Sequence, residues 1–159
     1  MDLAQNLQPV AALIGTWEGE GVGSYPTIES FRYREELIFN DIGKPFLQYE
    51  QRSWNPEGKL MHVETGYLRV TSPTSVELIV AIPTGQSEAA EGSLSADDQL
   101  RIELTGRILN TSSAKHVEAT ERVYVLDGDT LSSTFNMAAV DQEMTLHLES
   151  TMHRSPDGN

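Results

Sequence analysis

The chain contains no cysteine. That single absence removes thiolate metal sites, cysteine nucleophiles and disulfide frameworks, and makes a reducing, cytoplasmic compartment the simplest expectation. Basic residues are scarce as well, 11 against 24 acids, for a formal net charge of -13 at pH 7. Such a surface repels a phosphate backbone, which argues against nucleic acid as a partner, and otherwise serves solubility. The first basic residue is Arg32 and the opening Met1 to Asn6 is acidic and polar, so the basic and apolar regions of a secretory signal are missing. No apolar run approaches the length of a membrane-spanning helix.

What is there is alternation. At 159 residues, with no linker-like tract, the chain reads as one domain over residues 1–159, large enough to fold without disulfides or a structural metal. Period-2 segments rich in β-branched and aromatic residues predict strands over Thr16 to Val22, Tyr33 to Ile42, Phe46 to Trp54, Leu60 to Val70 and Ser75 to Ile82. Five more follow over Glu88 to Leu94, Leu100 to Ile108, His116 to Leu126, Thr130 to Met137 and Met144 to His153. Turn residues such as Asn55-Pro56-Glu57-Gly58 and Asp127-Gly128-Asp129 separate them. Only the first fourteen residues suggest helix, through Leu7, Val10, Leu13 and Ile14, with Pro9 suited to a first turn. The expected fold is all-β: an antiparallel barrel of about ten strands, of the lipocalin and fatty-acid-binding type, with a short N-terminal helix capping one end. A barrel of more than eight strands leaves room inside for a small ligand.

Most of the motifs have a plain structural explanation. Gly15-Thr16-Trp17-Glu18-Gly19-Glu20-Gly21 is glycine-rich, but a dinucleotide loop needs a strand before it and a helix after it, and neither is predicted. Trp17 as an apolar plug at the closed end, with one N–H to satisfy, explains the run better. No histidine spacing suggests zinc: His147 and His153 lie about 20 Å apart on one strand, and no His-x-His or His-Glu-x-x-His occurs. The acid pairs Glu35-Glu36 and Asp97-Asp98 point to opposite faces of their segments, which excludes a glycosidase pair; both read as solvated. No Gly-x-Ser-x-Gly elbow is present.

The Gly15 to Gly21 run, the segment Tyr25-Pro26-Thr27-Ile28, and His147-Leu148-Glu149-Ser150-Thr151-Met152-His153-Arg154 together resemble the nitrobindin family. The family's opening signature, G-x-W-x-G-x-G, is complete; its closing one, H-L-x-A-x-L-x-R, keeps His147, Leu148 and Arg154, with Ser150 and Met152 in place of Ala and Leu. The resemblance implies a ten-stranded barrel holding a ferric haem b at its mouth, with His147 as the iron ligand and Thr27 as a haem contact. It implies binding of nitric oxide and isomerisation of peroxynitrite to nitrate, which would make His147 the catalytic residue as well. One imidazole on the iron leaves the opposite face free for a small molecule.

Periodicity alone turns His147 the wrong way. Met144, Leu146, Leu148 and Met152 make the apolar face of their segment, placing His147 with Thr145, Glu149, Thr151 and His153. A bulge near Asp141 to Glu143, or a haem at a rim with mixed contacts, would each reconcile the two. The competing function is a carrier for a fatty acid or similar apolar molecule, with Arg101, Arg107 or Arg122 pairing the ligand carboxylate. A barrel that has lost its ligand and only mediates association is a third. Exposed strand faces are compatible with a homodimer.

Overall fold

In a computed structural model, which describes residues 2–156, ten antiparallel strands close into a barrel. They are β1 (Gly15–Tyr25), β2 (Ile28–Asp41), β3 (Phe46–Trp54), β4 (Leu60–Ser72), β5 (Ser75–Ile82), β6 (Gln86–Ala96), β7 (Leu100–Asn110), β8 (Val117–Asp127), β9 (Thr130–Ala139) and β10 (Thr145–Arg154). Each strand pairs with its sequence neighbour, and β1 pairs with β10 to complete the ring. No edge is left open, which removes the hazard of unpaired strands. All ten expected strands are present, most of them longer at one or both ends than the alternation indicated. Among the described residues, no helix is long and apolar enough to cross a membrane.

The N-terminal helix is a 3-10 helix over Gln5–Leu13. Leu7, Val10 and Leu13 recur at every third position and are all buried, the spacing that a helix of three residues per turn places on one face. Pro9 sits inside it, where it removes an N–H that a continuous α-helix would use. The side-chain amide of Asn6 donates to the carbonyls of Pro45 and Val70, at 3.0 Å each, fastening the helix across one end of the barrel.

That end is closed by a second device. Trp17 is fully buried, and its indole N–H donates to the Leu13 carbonyl at 2.9 Å. Arg154 pairs with Trp17 across the β1–β10 seam and lays its guanidinium over the indole, 4.3 Å from the ring centroid. Its two terminal nitrogens donate to the carbonyls of Ile14 (2.8 Å) and Ala12 (2.7 Å). One arginine therefore satisfies carbonyls that the end of the helix leaves free and covers the plug. The core runs inward from here through Leu37, Phe39, Leu47, Leu68, Leu78, Ile102 and Leu131.

Arg154→Ala removes these charge-assisted hydrogen bonds and the stacking contact together. Because the guanidinium is partly solvated, the expected loss is about 1–2 kcal/mol, seen as a lower urea midpoint with unchanged slope. Arg154→Lys restores only part of it, since an ammonium lacks the planar fork.

Candidate haem site at the barrel mouth

The first and last motifs of the sequence are a single structural unit. In the β1–β10 seam Trp17 faces Arg154, Gly19 faces Met152, Gly21 faces Ser150 and Gly23 faces Leu148. Inward positions of β1 carry glycine for a reason of space. A Cβ built on Gly21 would lie 2.3 Å from the Tyr33 ring, and one on Gly23 would lie 2.1 Å from the Phe31 ring. The bare backbone lets the tips of both aromatic rings of β2 come over β1 beside the mouth.

His147 reaches the interior through a bulge that falls on the residue itself. In the β10–β9 ladder Leu146 faces Asn136 and Leu148 faces Phe135, so His147 is the extra residue between them. The insertion reverses the facing: Leu146 is 41% exposed, while His147 and Leu148 both line the cavity. The expected bulge near Asp141 to Glu143 is not where the reversal happens. Those residues belong to the β9–β10 connection, whose tip passes through left-handed Val140 and Asp141 (φ 52° and 61°).

The imidazole is held on several sides. Its Nδ1–H donates to the Ser24 carbonyl at 3.0 Å, since a carbonyl can only accept. Tyr25, Phe31 and Phe135 meet it edge-on with ring centroids at 5.4, 6.3 and 6.2 Å. Tyr25 is itself anchored: its hydroxyl accepts from the Ala139 N–H at 3.0 Å and faces the Met137 carbonyl at 3.0 Å. Burial lowers the His147 pKa, partly opposed by the hydrogen bond to Ser24. The ring is thus a neutral imidazole with Nδ1 committed and Nε2 bare, the form that binds a metal.

Thr27 lies in the exposed two-residue turn between β1 and β2, at the same rim as His147. Its position is compatible with a group held at the mouth.

Below His147 the cavity is open at the mouth, has a volume of about 180 Å³ and ends on a charged floor. Arg122 is buried there between two glutamates, donating from Nη1 to Glu64 (2.8 Å) and from Nε to Glu88 (2.7 Å). Tyr49 donates to Glu64 at 2.5 Å and Thr120 to Glu88 at 3.1 Å. Burial alone would raise the Glu64 carboxyl, but the guanidinium, with hydrogen bonds from His62 and Arg122, holds it well below the usual carboxylate range. This occupancy corrects two sequence expectations. Arg122 is saturated by its own glutamates and cannot also receive a fatty-acid carboxylate, and the side chains of Arg101 and Arg107 are 48% and 81% exposed. Glu35 is not solvated: it is buried, accepting from Ser150 at 2.7 Å and Gln51 at 2.9 Å. Ser150, one of the departures from the family's closing motif, thereby supplies a hydrogen bond that alanine could not.

The signal for the floor was the parity of the strands. Glu35 alternates in step with Tyr33, Leu37 and Phe39; Arg122 with Tyr124 and Leu126; Glu64 with Leu68 and Val70.

The donor set fits an iron porphyrin and not a bare ion. Among the described residues no three His, Cys, Asp or Glu cluster to hold a metal. A lone imidazole suffices only for a metal that brings its other donors with it, as iron does in a tetrapyrrole. The enclosed volume is too small to swallow such a macrocycle, so the mouth, where His147 stands, is where it would be held.

A family profile described as "THAP4-like, heme-binding beta-barrel domain" matches residues 6–154. The chain belongs to this family. Similar relatives include a protein of Nocardia farcinica named peroxynitrite isomerase, 47% identical over 155 residues, which span 96% of this chain and 92% of that protein. Peroxynitrite isomerase 1 of Mycobacterium tuberculosis is 45% identical over 159 residues, covering 96% and 97%. The crystal structure of Rv2717c from M. tuberculosis superposes with a TM-score of 0.94 at 44% identity, covering 97% of this chain and 99% of that one. Haem as the cofactor of the family's barrel, and the ten-stranded fold, agree with what the nitrobindin resemblance implied.

Burial raises the Glu35 carboxyl above its ordinary value, against the lowering effect of Ser150 and Gln51. The folded chain therefore keeps a proton there that the unfolded chain releases near pH 4.5. Stability from this group is full below that pH and is lost as pH rises toward the folded value. Glu35→Gln, neutral and of the same shape, should stabilise the protein at pH 7 by on the order of 1 kcal/mol and give no gain at pH 4, measured by urea unfolding at both.

Proposed function

We propose that this protein is a haem b enzyme that isomerises peroxynitrite to nitrate and also binds nitric oxide, with His147 as the iron ligand. The observation that carries the proposal is the half-buried imidazole whose Nδ1–H is fixed on the Ser24 carbonyl and whose Nε2 is left bare in the mouth of a barrel. The names of the Nocardia and Mycobacterium relatives support the activity.

A ferric haem, when bound, supplies the electrophilic centre at which peroxynitrite rearranges. The chain does the rest. Ser24 fixes the tautomer and direction of the ligand imidazole, and an N–H donated to a carbonyl increases the basicity of the other nitrogen. The Tyr25, Phe31 and Phe135 rings prevent that imidazole from turning and keep water from its edges. Thr27, in the exposed turn at the rim, would help to hold the haem there. Residues 1–159 act as one domain in this reading, and the cysteine-free composition suits a reducing cytoplasm, where a thiol would compete for both iron and oxidant. Exposed apolar side chains at the mouth end, among them Ile28, Leu60, Met61 and Leu146, are available to bury between two copies in a homodimer.

Hemin added to the purified protein should give a saturable Soret band, abolished or strongly shifted in His147→Ala and weakened severalfold in affinity in Thr27→Ala. The loaded wild-type protein should accelerate the stopped-flow decay of peroxynitrite and yield nitrate, while the His147→Ala protein matches free hemin. An unchanged Soret band in His147→Ala would rule out the ligand assignment, and no acceleration by a loaded wild type would leave binding without catalysis.

A further inference from the structure

The haem assignment leaves open what faces the small anion on the side of the cavity away from His147. Strand β10 stands four positions from β4 around the ten-strand ring in one direction and six in the other, so the two form nearly opposite walls. At the mouth end of β4 is His62, the third residue of the strand, in step with the inward Glu64, Leu68 and Val70. It lines the same cavity as His147.

Its ring is oriented from below. His62 Nε2 lies 3.1 Å from Glu64 Oε2, and the low pKa of that carboxyl makes it the acceptor, so Nε2 carries the hydrogen. Glu64 cannot swing, because Arg122 and Tyr49 hold its other oxygen. The remaining nitrogen of His62, Nδ1, has no hydrogen-bond partner among the described residues. An imidazole nitrogen of this kind accepts a hydrogen bond when bare and donates one when protonated.

Most other polar groups lining the cavity are spoken for. Arg122, Thr120 and Tyr49 are committed to Glu64 and Glu88, the side chains of Thr84 and Gln86 to one another and to the Lys115 carbonyl, and the Gln51 amide N–H to Glu35. Tyr33 lies against Gly21 and Ser150, and Ser133 faces Ser150; both belong to the wall that carries His147. On the far wall the Gln51 side-chain oxygen is also unpaired, but it is buried and can only accept, which offers nothing to an anion; His62, with a side chain 34% exposed, stands where the cavity meets solvent.

We propose that His62, oriented by Glu64, is the hydrogen-bonding residue for the small anion taken up opposite His147, and that the Arg122–Glu64–Tyr49 cluster is the rigid mount that aims it. The proposal rests on the haem reading. For the reaction, His62 acts in its imidazolium form, with Nε2–H on Glu64 and Nδ1–H donated to the negative oxygen of peroxynitrite, and it holds the anion while the atoms rearrange; no net proton is consumed, since peroxynitrite and nitrate carry the same charge.

Azide and fluoride serve as inert probes of the same face. Hemin-loaded wild type, His62→Leu and His62→Gln are titrated with each anion and followed by absorbance. Loss of one hydrogen bond, about 1.4 kcal/mol, predicts roughly tenfold weaker anion binding in His62→Leu, with His62→Gln recovering part of the loss. The hemin affinity of all three should agree within about twofold, because His62 does not carry the iron. Equal anion affinities in the three proteins overturn the role of His62 and leave the haem site standing. A wild type that shows no Soret band with hemin overturns the haem reading and this proposal with it, and a large loss of hemin affinity in His62→Leu overturns it by making His62 an iron ligand.

Discussion

Closure of the barrel through the pairing of β1 with β10 is the constraint on which the rest depends. It brings the beginning of the sequence against its end, so that two short motifs more than a hundred residues apart form one seam. At the closed end that seam stacks Arg154 on Trp17 and ties both to the 3-10 helix; at the mouth it brings His147 within hydrogen-bonding distance of Ser24. Opening the seam would release the plug and the ligand imidazole together. Structural and functional residues of the two motifs are therefore hard to separate by sequence alone.

Most of the fold was legible in the alternation of apolar and polar residues, because an antiparallel strand with one face inside carries that period directly. The short helix was legible too, since Leu7, Val10 and Leu13 recur, though at a spacing that both kinds of helix tolerate; the pitch was decided by docking on the barrel end. What failed was parity at His147. A one-residue bulge has no composition of its own, and nothing in Leu146-His147-Leu148 announces that both His147 and Leu148 turn inward. The ladder with β9 is needed to see it.

The charged floor, of which the sequence showed only Glu35, read as solvated, and Arg122, read as a partner for a ligand carboxylate, was missed for a different reason. Glu35, Glu64, Glu88 and Arg122 come from four strands, and each alone resembles a solvated charge in a chain rich in acids. Their inward parity was present, but burial of a charge is plausible only once its partner is known. The structure supplies the partner, and the cost of burying Arg122 is offset by two carboxylates and two tyrosine hydroxyls. Replacing one partner alone would strand the others, so the cluster behaves as a unit. It also divides the cavity chemically: aromatic rings around His147 at the mouth, fixed charges beneath, and His62 between them.

The chemistry of the mouth depends on which atom holds the iron. A crystal structure of the hemin-loaded protein is predicted to place iron on Nε2 of His147 with the Nδ1 contact to the Ser24 carbonyl kept near 3.0 Å. Iron bound to any other side chain, or a His147 ring turned out of the mouth with that contact broken, would contradict it.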